Sequence, residues 1–177
     1  ERIQIDGLPV SQTDFERAFN VVHETALALN LDAHPTYFET VTAMAFWLFR
    51  EHRIHTAVIE VGLGGRLDAT NVVEPALTVI TPIDYDHQAY LGDTLELIAG
   101  EKAGILKPGV PAIFSKQRPE AAAVLEARAA QLGIPVTRAM LTDFQTVSPS
   151  DRLTRPMGLI LAGSQHDFPV VDEGVVQ

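Results

Sequence analysis

Thr56-Ala57-Val58-Ile59-Glu60-Val61-Gly62-Leu63-Gly64-Gly65-Arg66-Leu67-Asp68-Ala69-Thr70-Asn71 is the stretch on which the fold turns. Its first six residues are a β-branched apolar run that stops at Gly62, the pattern of a strand buried on both faces of a parallel sheet. Leu77-Thr78-Val79-Ile80-Thr81 repeats the pattern, and Pro111 to Ser115 supplies a third strand. The intervening segment from Gly62 to Asn71 reads as loop, because Arg66 to Asn71 followed by Pro75 has no helical periodicity. This rules out the dinucleotide fingerprint, whose third glycine has to open a helix. Its glycines still let a ligand or another piece of backbone come close, or simply make a tight turn.

Helical segments alternate with these strands. Ser11 is an N-cap for a helix through Phe15, Phe19, Val22 and Leu29, ending near Leu31. The linker Asp32-Ala33-His34-Pro35 leads to Thr36-Tyr37-Phe38-Glu39, the form of a capping box, so a second helix is expected from about Tyr37 to Arg53. Apolar on most sides, it should be sandwiched rather than surface-lying. A helix through Leu95 to Ile105 ends before the Pro108-Gly109 turn, and an Ala-rich helix from about Pro119 to Leu132 is closed by Gly133. Near the amino terminus a strand through Ile5 turns at Asp6-Gly7-Leu8-Pro9. From about Thr142 the short apolar stretches Phe144 to Val147, Leu159 to Leu161 and Phe168 to Val171 suggest a small antiparallel sheet. The expected fold is α/β, a mostly parallel open sheet flanked by helices, with residues 1–141 forming the main unit and 142–177 the small antiparallel subregion. Ligands then belong at the carboxyl ends of the strands.

Composition narrows the function. The 177 residues suit one domain at roughly 150 residues per domain. A hydrophobic fraction of 46% with 20% charged residues excludes disorder and fibrous architecture. Thirteen Lys and Arg against 23 Asp and Glu, a net charge of -10, argue against nucleic acid as a partner. Zero cysteines exclude a disulfide framework, thiolate metal sites and a cysteine nucleophile, and suit a cytoplasmic setting. No apolar stretch approaches the roughly 20 residues that cross a bilayer, so no membrane partner is expected.

Three groups carry chemistry. Glu60 is a carboxylate one residue before the end of an apolar strand. There it needs a cation, the backbone amides of the glycine loop or an exposed strand end. Asp84, Asp86 and His87 follow the second strand and should emerge at the same sheet edge, offering oxygen and imidazole donors to a hard divalent cation, or making an ordinary loop. Lys102 lies in an apolar helix, paired with Glu101 or snorkelling to solvent, or held near a metal or phosphate.

Together these segments resemble the folylpolyglutamate synthase and dihydrofolate synthase family of the Mur ligase superfamily. The resemblance rests on Val58 to Val73, Pro35-Thr36-Tyr37-Phe38-Glu39, Asp86-His87-Gln88 with Leu91-Gly92, and Glu101-Lys102-Ala103-Gly104-Ile105, in that family's order and spacing, over about Glu1 to Lys116. It implies an ATP-dependent ligase that joins L-glutamate to dihydropteroate or a folate through an acyl phosphate, with Mg2+ and ATP required. It makes Glu60 and His87 the ligands of one magnesium, and Lys102 a carbamylated lysine acting with them in catalysis. Thr36, Tyr37, Phe38 and Glu39 with Leu67, Asp68 and Ala69 would line the pterin site, Phe38 as an aromatic surface; core packing is the competing reading of Phe38. A monomer acting on small molecules is expected. The family's Gly-rich P-loop has no counterpart here and is expected before Glu1, and the C-terminal glutamate-ligase domain after Gln177. The chain alone would then be an inactive central piece; a noncatalytic binding module derived from such a ligase is the competing expectation. A net charge of -10 concerns long-range steering rather than a particular site, and does not weigh against nucleotide binding.

Overall fold

The computed structural model describes residues 2–139. They fall into two compact units that divide between Glu60 and Val61.

In the first unit, β1 (Gln4–Ile5) and β2 (Leu8–Pro9) form an antiparallel hairpin with Gln4 opposite Pro9. The turn is Asp6-Gly7, with φ of 53° and 75°. Both residues take the left-handed conformation that a two-residue hairpin loop demands, which Asp and Gly tolerate best. Ser11 caps α1 (Gln12–Ala28), its hydroxyl accepting from the Asp14 amide at 3.1 Å. Thr36 caps α2 (Tyr37–Glu51), and the capping box is complete: the Thr36 amide donates to Glu39 Oε2 at 2.7 Å and the Glu39 amide to Thr36 Oγ1 at 3.3 Å. Ile3, Ala18, Val41, Met44, Leu48 and Phe49 make the core, with Ile54 and Ile59 packed on it. Met44 and Leu48 are fully buried, as expected of a helix apolar on most sides.

Glu39 gives the capping box a pH dependence. Its carboxyl is held below the ordinary glutamate value, first by the Thr36 backbone amide and then by the Thr36 side chain. A depressed carboxyl stabilises the fold in full above its ordinary range, and that contribution fades as pH falls through the lowered value. Glu39→Ala should therefore lower the melting temperature at pH 7 and make little difference at pH 2, while Thr36→Ala costs about 1 kcal/mol at neutral pH. Paired thermal melts at the two pH values check both.

The second unit holds a parallel sheet in the order β3 (Thr78–Ile80), β4 (Ala112–Phe114) and β5 (Val136–Arg138). Ile80 lies opposite Phe114, and Phe114 opposite Arg138. Between the strands run the short α3 (Gln88–Leu91), α4 (Leu95–Ala103) and α5 (Pro119–Leu132). Thr94 caps α4, and Gly133, at φ 64°, ends α5 in the left-handed conformation. Ile80, Ala112 and Phe114 from the sheet, Leu95, Ile98, Ala99 and Ala103 from α4 and Ala121, Leu125 and Ala129 from α5 form one core.

The α/β class with a parallel sheet is as expected. Two details differ. Thr56 to Val61 belongs to no strand; Ile59 packs on the helical core of the first unit while Val58 is 48% exposed. An apolar β-branched run becomes a strand only where a neighbour satisfies its backbone, and no described strand pairs with this one. Val79 in β3 is 42% exposed, so burial on both faces holds for β4 but not for β3. The antiparallel pair lies at the amino end; the one expected beyond Thr142 falls outside the described residues. β5 and α3, of three and four residues, carry too short a pattern to be read in advance.

Candidate active site

The loop from Gly62 to Asn71 is shaped by Asp68. Its Oδ2 accepts from the amides of Gly62 at 3.1 Å and Leu63 at 2.9 Å, and its Oδ1 from the Thr70 amide at 2.9 Å and hydroxyl at 2.5 Å. Charge-assisted bonds of this kind are stronger than neutral ones, and a carboxylate with both oxygens occupied holds the loop as a closed turn. It also caps the 3-10 turn Ala69–Val72.

This loop lies against the C-terminal turn of α4, and two missing side chains allow it. A Cβ on Gly65 would come within 3.0 Å of the Glu101 carbonyl and 3.3 Å of Lys102 Cα, and one on Gly104 within 2.6 Å of Arg66 Cα. On its other flank a Cβ on Gly64 would meet Leu91 of α3 at 2.9 Å. The glycines thus serve the close approach of backbone to backbone. Polar bonds fasten the contact. The Arg66 amide donates to the Glu101 carbonyl at 2.9 Å, and Arg66 Nε and Nη2 reach Glu101 Oε1 at 3.2 and 3.0 Å. Asn71 Nδ2 donates to the carbonyls of Arg66 and Gly104, and Lys107 Nζ to the Asn71 carbonyl at 3.0 Å. The Gly104 carbonyl lies just past the end of α4, where no further helical turn supplies a donor.

One consequence concerns Lys102. Glu101, the carboxylate next to it in sequence, is engaged by Arg66, and the half-buried Lys102 amine makes no hydrogen bond or ion pair among the described residues. The expected alternative of a Lys102–Glu101 pair is thereby replaced by Arg66–Glu101. Sequence reading named neither Arg66 nor Asn71 as a fastener; the signal was their place in the same glycine segment, but their partners lie 33 to 35 residues away.

His87 follows β3 and opens α3 with φ 50° and ψ 34°, a left-handed conformation uncommon outside glycine and frequent at functional positions. Its amide donates to Asp86 Oδ1 at 2.7 Å, and its Nε2 lies 3.6 Å from Asp86 Oδ2. Asp84 Oδ1 accepts from the Tyr85 amide and lies 3.7 Å from Arg118 Nη2. Asp84, Asp86 and His87 are all exposed. In this unit the glycine loop therefore touches both Leu91 of α3, the helix that His87 opens, and the turn of α4 that carries Lys102.

Glu60 and Thr36 to Glu39 lie in the first unit, and Leu67 and Ala69 in the second. Glu60 is exposed and its carboxylate has no hydrogen bond or ion pair among the described residues; the amides of Gly62 and Leu63 that were one possible partner are taken by Asp68. Thr36 to Glu39 form the first turn of α2. Tyr37 is 69% exposed, and Phe38 is half-buried outside the core cluster, so it is not core packing. Glu39 is the helix cap. Leu67, in the glycine loop, is 79% exposed, and Ala69 is half-buried.

No cluster of three or more His, Asp or Glu side chains able to hold a metal occurs among the described residues. The donor chemistry nevertheless fits magnesium. This ion prefers oxygen and keeps several waters. It is commonly held by one or two carboxylates with the rest of its shell from substrate phosphates; Glu60 in the first unit offers such a carboxylate without a partner among the described residues, and His87 in the second an exposed imidazole. No described helix is long and apolar enough to cross a membrane.

A parallel sheet flanked by helices, with a glycine loop docked on α4, is an α/β fold, and the comparisons with known proteins give the family. No family model matches the chain. It is 46% identical over 138 residues to the dihydrofolate synthase/folylpolyglutamate synthase of Bacillus subtilis, covering 76% of this chain and 32% of that protein. A folylpolyglutamate synthase solved as a complex with AMPPCP and folate matches with a TM-score of 0.74 at 41% identity, over 78% of this chain and 34% of the other. The Mycobacterium tuberculosis folylpolyglutamate synthase, complexed with ADP and AMPPCP, matches with a TM-score of 0.70 at 35% identity, over 82% and 34%. The chain belongs to the folylpolyglutamate synthase/dihydrofolate synthase family, and it spans about a third of the length of the relatives it matches.

Proposed function

We propose that this chain is the central part of a magnesium- and ATP-dependent ligase that adds L-glutamate to dihydropteroate or to a folate, and that it needs the rest of that ligase to act. The observation that carries the proposal is the glycine loop fastened to the α4 turn beside a lysine left without a partner. The relative solved with AMPPCP and folate supports a nucleotide and a folate as substrates. In the first step an oxygen of the substrate carboxylate attacks the γ-phosphorus of ATP, and ADP leaves. In the second, the glutamate amine attacks the acyl carbon, loses a proton and expels phosphate, which carries off that carboxylate oxygen. Magnesium supplies neutralisation of charge on the phosphate oxygens.

The roles of this chain's residues follow from what each offers. Glu60 and His87 are the protein ligands of one magnesium, and the left-handed conformation of His87 fixes where its imidazole leaves the backbone. Lys102, free of Glu101, is available to add carbon dioxide and become an anion that orients phosphate or metal; it and the two ligands are the catalytic set. Tyr37 and Phe38 supply aromatic surface for the pterin, with Thr36, Glu39, Leu67, Asp68 and Ala69 around it. Asp68 acts chiefly by holding the loop, since both its oxygens are occupied. A cytoplasmic monomer with no nucleic-acid or membrane partner completes the proposal.

In the complete ligase, Glu60→Ala should cut magnesium-dependent glutamate ligation by about 100-fold or more, the scale of losing one electrostatic stabiliser of the transition state. Full ligation by that variant at limiting magnesium would remove Glu60 from the metal.

A further inference from the structure

Beyond Ile80 the sheet ladder between β3 and β4 ends with the Ser115 amide donating to the Ile80 carbonyl at 2.9 Å. The side chain of Gln117 then continues it. Its Nε2 donates to the Thr81 carbonyl at 2.9 Å and its Oε1 accepts from the Ile83 amide at 2.9 Å. A carboxamide presents the same donor and acceptor as a peptide unit. Gln117 thus replaces one rung of backbone pairing for a segment that has no described strand beside it. Ile83, 4% exposed, anchors the same segment in the core. The neighbouring Arg118 reaches Asp84 Oδ1 at 3.7 Å and lies over the Tyr85 ring at 5.8 Å. Every residue from Thr81 to Tyr85 except Pro82 is therefore held by the Gln117-Arg118 pair, and two residues further on the chain delivers His87.

We propose that Gln117 is a positioning residue for His87: by extending the sheet through its side chain it fixes the path of residues 81–87 and so the place from which the imidazole meets a divalent cation. This rests on His87 being a metal ligand, and adds a residue outside every segment that carries the family resemblance. Arg118 contributes less, because its ion pair with Asp84 is long and both groups are more than half exposed.

The test uses the complete ligase with Mn2+ as the probe in the presence of AMPPCP, free Mn2+ being followed by its electron paramagnetic resonance signal. Gln117→Leu removes both bonds at similar volume. It should weaken Mn2+ binding about tenfold and raise the magnesium needed for half-maximal ligation by a similar factor, with kcat at saturating magnesium within about threefold of the parent. Gln117→Glu, which keeps the acceptor for the Ile83 amide and loses the donor to Thr81, should fall between. His87→Ala, measured beside them, should weaken Mn2+ binding at least as much. If His87→Ala weakens Mn2+ binding and Gln117→Leu does not, the positioning role is wrong and the metal role stands. If neither changes it, both are wrong. A Gln117→Leu protein whose rate falls at every magnesium concentration in step with a lowered melting temperature, at unchanged Mn2+ affinity, has lost only a structural tie, and that also overturns the proposal.

Discussion

Lys102→Ala in the complete ligase is expected to lower glutamate ligation by about 100- to 1,000-fold, the range seen when one preorganised charge at a developing phosphate or oxyanion is lost. Stability should barely respond. The Lys102 amine has no bond to break among the described residues, and alanine is the better helix former by only a few tenths of a kcal/mol. A large kinetic effect with an unmoved melting temperature separates a chemical role from a packing one. If the lysine acts after adding carbon dioxide, the parent enzyme should also slow in buffer stripped of carbon dioxide and bicarbonate, and Lys102→Ala should not respond. Parent-like ligation by Lys102→Ala would remove the residue from the chemistry.

Gly104→Ala is expected to destabilise, although helix propensity alone predicts the opposite. Gly104 has φ -64°, a conformation alanine adopts freely, so backbone freedom does not explain the glycine. Space does. The added Cβ would lie 2.6 Å from Arg66 Cα, and closer still to Arg66 Cβ, and backbone cannot swing aside as a flexible side-chain tip can. Overpacking of this kind costs about 1–3 kcal/mol, against the up to about 1 kcal/mol that alanine gains over glycine in a helix. The clash should win, lowering the melting temperature by about 5 °C or more and pushing the glycine loop off α4. Gly100→Ala is the control on the same helix: a Cβ there meets nothing within 4 Å, so the substitution should be neutral or stabilising. A raised melting temperature for Gly104→Ala would mean that the loop does not rest on this turn.

What could be read in the sequence was whatever short-range chemistry decides. Ser11, the Thr36–Glu39 box and Gly133 each act within four residues of themselves, and all three cap where their residue types placed them. Thr56 to Val61 departs from its strand-like pattern because a strand is a property of a pair, while the sequence shows one member. Helices α4 and α5 and strands β3 and β4 emerged within a residue or two of their expected ends, since their apolar patterns are long or bounded by Thr, Pro and Gly.

The site was legible as residue types and illegible as connections. Glu60 and Lys102 stand out because a charge in an apolar run needs a reason, and His87 because it closes an Asp-x-Asp-His cluster after a strand. That Arg66 takes Glu101 away from Lys102, that Asp68 takes the loop amides away from Glu60, and that Gln117 carries on the sheet all depend on which of several competing donors reaches an acceptor first. Local patterning holds no information on that competition. The left-handed His87 was equally hidden, because histidine gives no warning of it as glycine does.

The acyl-phosphate route can be followed atom by atom. Dihydropteroate or folate labelled with oxygen-18 in its free carboxylate, given to the complete ligase with ATP, magnesium and glutamate, should yield the new amide with one labelled oxygen transferred to each inorganic phosphate released. Amide formation with unlabelled phosphate, or ATP cleavage that leaves the carboxylate label untouched, would contradict it.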